Sequence, residues 1–205
     1  MAAQLREGSL ALDIELDGQA QKQLLEYLAL LIKWNAAYNL TAVRDPEKMV
    51  VRHLLDSLAI AKHITGDRLI DVGTGAGLPG IPLAIMFPDR EFHLLDSNGK
   101  KTRFLFQVKT TLGLDNVSVH QARVELYQDV TAFDVVLSRA FASLSDMVNG
   151  TRHLLVPGGS FLAMKGVCPE AELSALPVGC KVEEVHHIHV PALEEKRHLV
   201  QMTLC

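Results

Sequence analysis

Long, strongly apolar runs are missing from this chain: the greasiest, Leu24 to Ile32, is nine residues and carries Glu26 inside it. A membrane-crossing helix needs about 20 such residues, so no span is expected. Met1 to Leu16 also lacks the basic stretch and apolar core of a secretory leader. Cysteine is scarce: Cys168, Cys180 and Cys205 are an odd number confined to the last fifth of the sequence. That excludes a paired disulfide framework and fits a reducing cytoplasm. An excess of positive charge is absent too, since 20 Lys and Arg stand against 24 Asp and Glu, a net of −4. No overall field therefore holds the protein to bare nucleic acid, and an RNA partner must be recognised locally. Repeats and linkers are not found. What is present is 205 residues, 48% hydrophobic and 21% charged, enough for one sizeable domain with a short appendage.

Between Asp17 and Asn35 the residues Ala20, Leu24, Leu28 and Leu31 recur at helical spacing, with Asp17 as N-cap. Asp45-Pro46 signals a second helix running through Val50, Leu54, Leu58 and Ala61, closed by Gly66. From Arg68 the pattern changes. Leu69 to Val72, Glu91 to Leu95, Asn116 to His120, Phe133 to Leu137 and Ser160 to Met164 are short and nearly all apolar, as buried parallel strands are. Helical segments are expected between them at about Pro79 to Met86, Lys100 to Leu112, Arg123 to Gln128 and Leu144 to Leu155. Pro157-Gly158-Gly159 reads as a turn into the fifth strand, and Lys181 to Val190 with Arg197 to Leu204 as a closing antiparallel pair. Alternation of strand and helix predicts a doubly wound α/β sheet over residues 63–205, preceded by a helical cap over 1–62.

The most informative stretch is Asp71-Val72-Gly73-Thr74-Gly75-Ala76-Gly77-Leu78-Pro79-Gly80, between a buried strand and a helix. Open α/β sheets bind ligands at such a place, where glycine lets the ligand approach the main chain. Gly75 to Gly80 also satisfies the G-x-G-x-x-G pattern of nicotinamide and flavin enzymes, and Asp96 stands where an acid holds ribose hydroxyls in either class. Asp71 separates them. A carboxylate at the mouth of the loop and a pyrophosphate about 5 Å away repel by about 3 kcal/mol at an effective dielectric near 20. The ammonium and sulfonium of S-adenosylmethionine reverse that sign. A plainer role for Asp71 is to cap the loop amides.

Several rival signatures are absent. Ile81-Pro82 stands where a phosphate loop needs Lys and Ser or Thr, and no Tyr is followed four residues later by Lys. Ser138-Arg139-Ala140-Phe141 replaces the Asn/Asp-Pro-Pro-aromatic run of exocyclic-amine methylases. Pyrimidine-carbon methylation needs a cysteine nucleophile; Cys168, the one candidate, reads better as an ordinary small residue before Pro169.

At this point the chain resembles the class I methyltransferases, and within them the glucose-inhibited division protein B family of small-subunit ribosomal RNA guanine-N7 methyltransferases. Trp34-Asn35 with Asn39-Leu40-Thr41, Arg52-His53 with Asp56-Ser57-Leu58, the glycine loop, Leu95 to Lys101, Ser138-Arg139-Ala140 and Met164-Lys165-Gly166 carry the likeness in order. The resemblance implies a mostly parallel seven-stranded Rossmann-like sheet. It implies S-adenosylmethionine contacts from Gly73, Leu78, Val124 and Glu125, and Arg139 at the cofactor–substrate boundary. Asp71, Thr74, Gly75, Gly77 and Asp96 complete the expected cofactor set. The implied reaction is in-line methyl transfer to guanine nitrogen 7 with no general base, so no proton-transfer residue is named. The alternatives are a nicotinamide-dependent oxidoreductase on the same loop and a non-catalytic, ribosome-associated module that senses the cofactor.

On the substrate side, Asn39, His53, Lys100, Arg103, Lys165 and Arg197 are the candidate RNA-positioning residues. Each has a plainer reading: a solvated face for the cations, and for His53 a polar network with Asp56 and Arg52. For Arg139 the plainer reading is a salt bridge to an acid such as Glu125. His186-His187-x-His189 is the densest histidine cluster, but a strand splits it between two faces, and no metal is expected. The expected partner is the small ribosomal subunit or its assembly intermediate, in the cytoplasm, with a monomer favoured.

Overall fold

Asp17 accepts a hydrogen bond from the Ala20 amide at 2.6 Å and so starts α2 (Gly18–Tyr38), whose apolar face of Leu24, Tyr27, Leu28 and Leu31 is buried. A computed structural model describes residues 1–204; Cys205 lies outside the described residues. An unforeseen helix, α1 (Ala2–Ala11), precedes it and buries only Leu5, Gly8 and Ser9, too little to print a helical stripe on the sequence. Asp45 accepts from the Glu47 amide and opens α3 (Pro46–Met49). The single helix expected through Ala61 is broken up: α3 runs into a π turn at Val50–Leu55, then α4 (Asp56–Leu58) and a 3-10 turn at Ala61–His63. The π turn changes the local winding. Arg52, expected beside Asp56, instead pairs with Glu195.

The strands are β1 (Arg68–Val72), β2 (Glu91–Asp96), β3 (Val117–Gln121), β4 (Phe133–Ser138), β5 (Leu155–Lys165), β6 (Cys180–Ile188) and β7 (Arg197–Leu204). They form one sheet in the order β3-β2-β1-β4-β5-β7-β6, parallel through β5, with β7 antiparallel to both its neighbours. The dinucleotide-binding order is 3-2-1-4-5-6. The antiparallel strand wedged between β5 and β6 sets this sheet apart from it. The connecting helices are α5 (Gly80–Met86), α6 (Gly99–Leu112), α7 (Leu144–Thr151) and the short α8 (Glu170–Leu173). Two sequence expectations are corrected here. The helix at Arg123 to Gln128 is only a 3-10 turn, Val124–Leu126. Pro157-Gly158-Gly159 lies inside β5, where the register with β4 shifts between Phe133 and Val135: a bulge, not a turn before the strand.

Strand alternation divides the core. Leu69, Phe92 and Leu94 pack with Leu24, Leu54 and Phe104 from the helices on one face, while Ile70, Val72, Leu95 and Val136 pack with Leu144 and Val148 on the other. The N-terminal helices thus share a continuous apolar cluster with the sheet. Tyr27 ties the two together, its hydroxyl donating to the Ala76 carbonyl in the glycine loop at 2.7 Å. Tyr27→Phe leaves that buried carbonyl unsatisfied, and a loss of about 1–3 kcal/mol is expected in urea unfolding. An unchanged midpoint would mean that the bond anchors nothing.

Candidate functional site

After β1 the chain turns through Gly73, Gly75 and Gly77, all with positive φ. The amides of Gly73 and Thr74 donate to the Leu95 carbonyl at 2.8 and 3.1 Å, which fastens the loop to the end of β2. The Leu78–Pro79 peptide is cis, and Pro79 caps α5. In front of the loop, at the C-terminal ends of the central strands, lies a cavity of about 490 Å³. Of the residues expected to bind the cofactor, Gly73, Asp96, Val124 and Glu125 line it, and Lys101 and Phe141, which are outside that set, stand beside them. Asp96 is held by the amides of Gly75 (2.9 Å) and Asn98 (2.8 Å) and by the Lys101 ammonium at 3.4 Å. Each carboxylate oxygen keeps acceptor capacity toward the cavity.

Thr74, Gly77 and Leu78 lie behind this wall rather than on it. The Thr74 hydroxyl donates to Asp71 at 2.7 Å, Leu78 is buried, and Gly77 is packed against Ile81 and Leu105. Asp71 itself does not stand at the cavity mouth. It shares the sheet face of Leu69, not that of Ile70 and Val72, and its Oδ2 accepts from Thr74 and from the Gly80 amide at 2.9 Å. The capping role therefore describes its contacts, and the alternation of β1 was the signal that pointed there. Its other oxygen, Oδ1, is buried with no hydrogen-bond partner among the described residues. Burial pushes the Asp71 carboxyl up to about 6, against the downward pull of Thr74, Gly80 and Arg139.

These features fit S-adenosylmethionine. At Gly75 the atoms nearest a would-be Cβ are the Gly73 carbonyl oxygen and Lys101 Nζ, both at 3.9 Å, so the loop has room at this turn, and Gly73 and Lys101 themselves line the cavity. An unsatisfied buried carboxylate oxygen below it favours a cation above. Val124 and Phe141 offer apolar walls for a purine, and Asp96 and Glu125 offer acceptors for ribose hydroxyls and an exocyclic amine.

Arg139 does not line the cavity, and its partner is not Glu125: Nη1 lies 3.3 Å from Asp56 Oδ2. Arg197 Nε donates to the other oxygen of Asp56 at 2.8 Å. Lys165 donates to Glu172 at 2.9 Å and reaches the carbonyls of Phe141 and Ala142, so it fastens the wall. Asn39 is the left-handed C-cap of α2 and accepts from Arg44. Lys100 and Arg103 are exposed near the start of α6, with Arg103 Nε donating to the Gly99 carbonyl. His53 Nε2 is 3.0 Å from the Thr41 hydroxyl, and Nδ1 is buried without a partner among the described residues. Burial, more than the neighbouring arginines, lowers the His53 pKa and keeps the ring neutral.

The histidines of His186-His187-x-His189 turn apart along the strand, with His186 against His63 and His187 against His198. A different group, His93, His120 and Asp129, brings ligand-type atoms together. Arg68 fills its edge, 3.2 Å from both His93 Nε2 and Asp129 Oδ1, and Tyr127 donates to Asp129 at 2.8 Å. A guanidinium on two of three ligands opposes a dication. Burial and Arg68 hold His93 down at about 4, and the group reads as a network tying β1, β2 and β3 to the Asp129 loop.

A family profile described as GidB, rRNA small subunit methyltransferase G, matches residues 20–200. A ribosomal RNA small subunit methyltransferase G from Saccharophagus degradans is 55% identical over 203 residues, 99% of this chain and 91% of that protein. One of the same name from Pseudomonas paraeruginosa is 56% identical, covering 97% of this chain and 94% of that protein. Among solved structures, a SAM-dependent methyltransferase from Aquifex aeolicus superposes with a TM-score of 0.61 at 17% identity, over 80% of this chain and 96% of that one, which establishes the fold.

Proposed function

Because the chain belongs to the rRNA small subunit methyltransferase G family, we propose that it methylates ring nitrogen 7 of a guanine exposed on the small ribosomal subunit. It is an S-adenosylmethionine-dependent ribosomal RNA methyltransferase; the full-length match at 55% identity carries that assignment. When bound, the cofactor supplies an electrophilic methyl group on a sulfonium. Asp96, Val124 and Glu125 are assigned to its adenosine half, and the glycine loop to its methionine half.

Guanine nitrogen 7 presents an unprotonated lone pair, so the transfer needs no base. The two carboxylates on the cavity wall, Asp96 and Glu125, are assigned to the adenosine half of the cofactor, and Asp96 also accepts from two amides and faces Lys101. The side chains therefore contribute by position: a near-attack separation of about 3–3.5 Å and exclusion of water. The sheet order sets aside the dinucleotide reading of the loop.

With a net charge of −4 the protein lacks the field to hold protein-free RNA. The folded surface of the subunit, or of a late assembly intermediate in the cytoplasm, supplies the shape it reads. Transfer of labelled methyl groups to unmodified subunits is expected to be at least about tenfold faster than to protein-free ribosomal RNA, the ratio that loss of about 1.4 kcal/mol of shape recognition gives. Equal turnover contradicts the subunit requirement. No transfer to either, with tight S-adenosylhomocysteine binding, favours a cofactor-sensing module.

A further inference from the structure

We propose that Asp56 is a positioning residue of this reaction: its buried carboxylate aims the guanidiniums of Arg139 and Arg197 together at one RNA phosphate beside the target guanine. This rests on the RNA-methylating function proposed above.

Three segments far apart in sequence meet here. Asp56 follows the π turn of the helical cap, Arg139 directly follows β4, and Arg197 begins β7. The Asp56 side chain is 2% exposed, while those of Arg139 and Arg197 are 30% and 20% exposed. The acid is inside and the two cations lean outward. One carboxylate against two guanidiniums gives the triad itself a charge of +1; around it stand Glu195, which pairs with Arg52 and faces Arg197, and the buried Asp71, which Arg139 pulls on.

The donor count points the same way. Of five N–H donors on each guanidinium, Arg197 gives Nε to Asp56 and Nη1 to the Lys196 carbonyl, while Arg139 faces Asp56 as an ion pair, Nη1 to Oδ2 at 3.3 Å. Donors remain on both, in the fork geometry suited to phosphate. Arg139 stands beside Ala140, which lines the cavity, so an anion held there lies next to the methyl-transfer site. A buried ion triad is a weak source of stability, since apolar residues of similar volume serve as well. Its use here is aim.

Asp56→Asn keeps the shape and removes the charge. With subunits as substrate, KM is expected to rise about tenfold or more. The slope of log(kcat/KM) against log[salt] is expected to become shallower by about one, the signature of a lost phosphate contact. Arg197→Ala should reproduce both effects, and the double variant should add little to either single one. S-adenosylhomocysteine affinity should stay within about threefold throughout. Retained KM and salt slope in Asp56→Asn overturn the proposal, as does a loss of cofactor affinity equal to the loss in kcat/KM. Should Asp56→Asn fail to fold, Arg197→Ala decides by the same criteria. If the wild-type protein transfers no methyl group, the functional reading fails instead, a result separate from any of these.

Discussion

Gly77→Ala is expected to abolish measurable S-adenosylhomocysteine binding and to cost about 2–5 kcal/mol in urea unfolding. Two terms add. Gly77 has a φ of 93°, which a residue with a Cβ adopts at a cost of about 1–2 kcal/mol. The added Cβ falls 2.5 Å from Ile81 Cγ1 and 2.8 Å from Leu105 Cδ2, and overpacking a filled core costs about 1–3 kcal/mol. Relief requires the loop to lift from α5 and α6, which displaces Gly73 from the cavity wall. Gly113 is the control. It also has positive φ, but nothing lies within 4 Å of its would-be Cβ, and it caps α6 far from the loop in sequence. Gly113→Ala should cost about 1–2 kcal/mol and leave cofactor affinity unchanged. Equal losses in the two variants would show that close packing under the loop is not what holds it.

The second large effect is at Asp71. Asp71→Ala removes the acceptor of the Thr74 hydroxyl and of the Gly80 amide, and about 1–3 kcal/mol of cofactor affinity is expected to go with it. The pH dependence separates charge from shape. The folded-state pKa, about 6, lies above the ordinary 3.8 because burial disfavours the carboxylate. The protonated acid therefore favours folding. That advantage is complete below about pH 4, is lost as pH rises through about 6, and amounts to about 3 kcal/mol across the window. A cationic cofactor favours the ionised form instead. Affinity for S-adenosylmethionine should accordingly strengthen several-fold between pH 5 and 7 in the wild type and stay flat in Asp71→Asn. The same slope in both proteins would remove Asp71 from the electrostatics of the site.

Much of this was legible in the residues because the signals are local. Asp17 and Asp45 cap their helices by reaching amides two or three residues ahead, so the caps read directly from the sequence. The apolar strands and the glycine loop are local signals as well. Where sequence reading went astray, the deciding partner was distant or the geometry left no pattern. The π turn at Val50–Leu55 is built from ordinary helix-compatible residues and leaves no mark on the sequence, and Arg52 finds Glu195 across 143 positions. Arg139 finds Asp56 across 83 positions, and Arg197 finds it across 141. Glu125 was merely the nearer acid in sequence. Pro157-Gly158-Gly159 has the composition of a turn, yet β5 pairs with β4 on both sides of it, at Leu155 and again from Ser160, so the strand passes through it as a bulge. For Asp71 the information was present: Leu69 and Asp71 alternate with Ile70 and Val72, and that alternation alone puts the carboxylate beneath the loop.

The product nucleoside is the most direct check on methyl transfer to a guanine ring nitrogen. Small subunits lacking the modification, incubated with the protein and methyl-labelled S-adenosylmethionine and then digested to nucleosides, should yield 7-methylguanosine as the one labelled species in mass spectrometry. Label on an adenine amine or a pyrimidine carbon, or none at all, would contradict it.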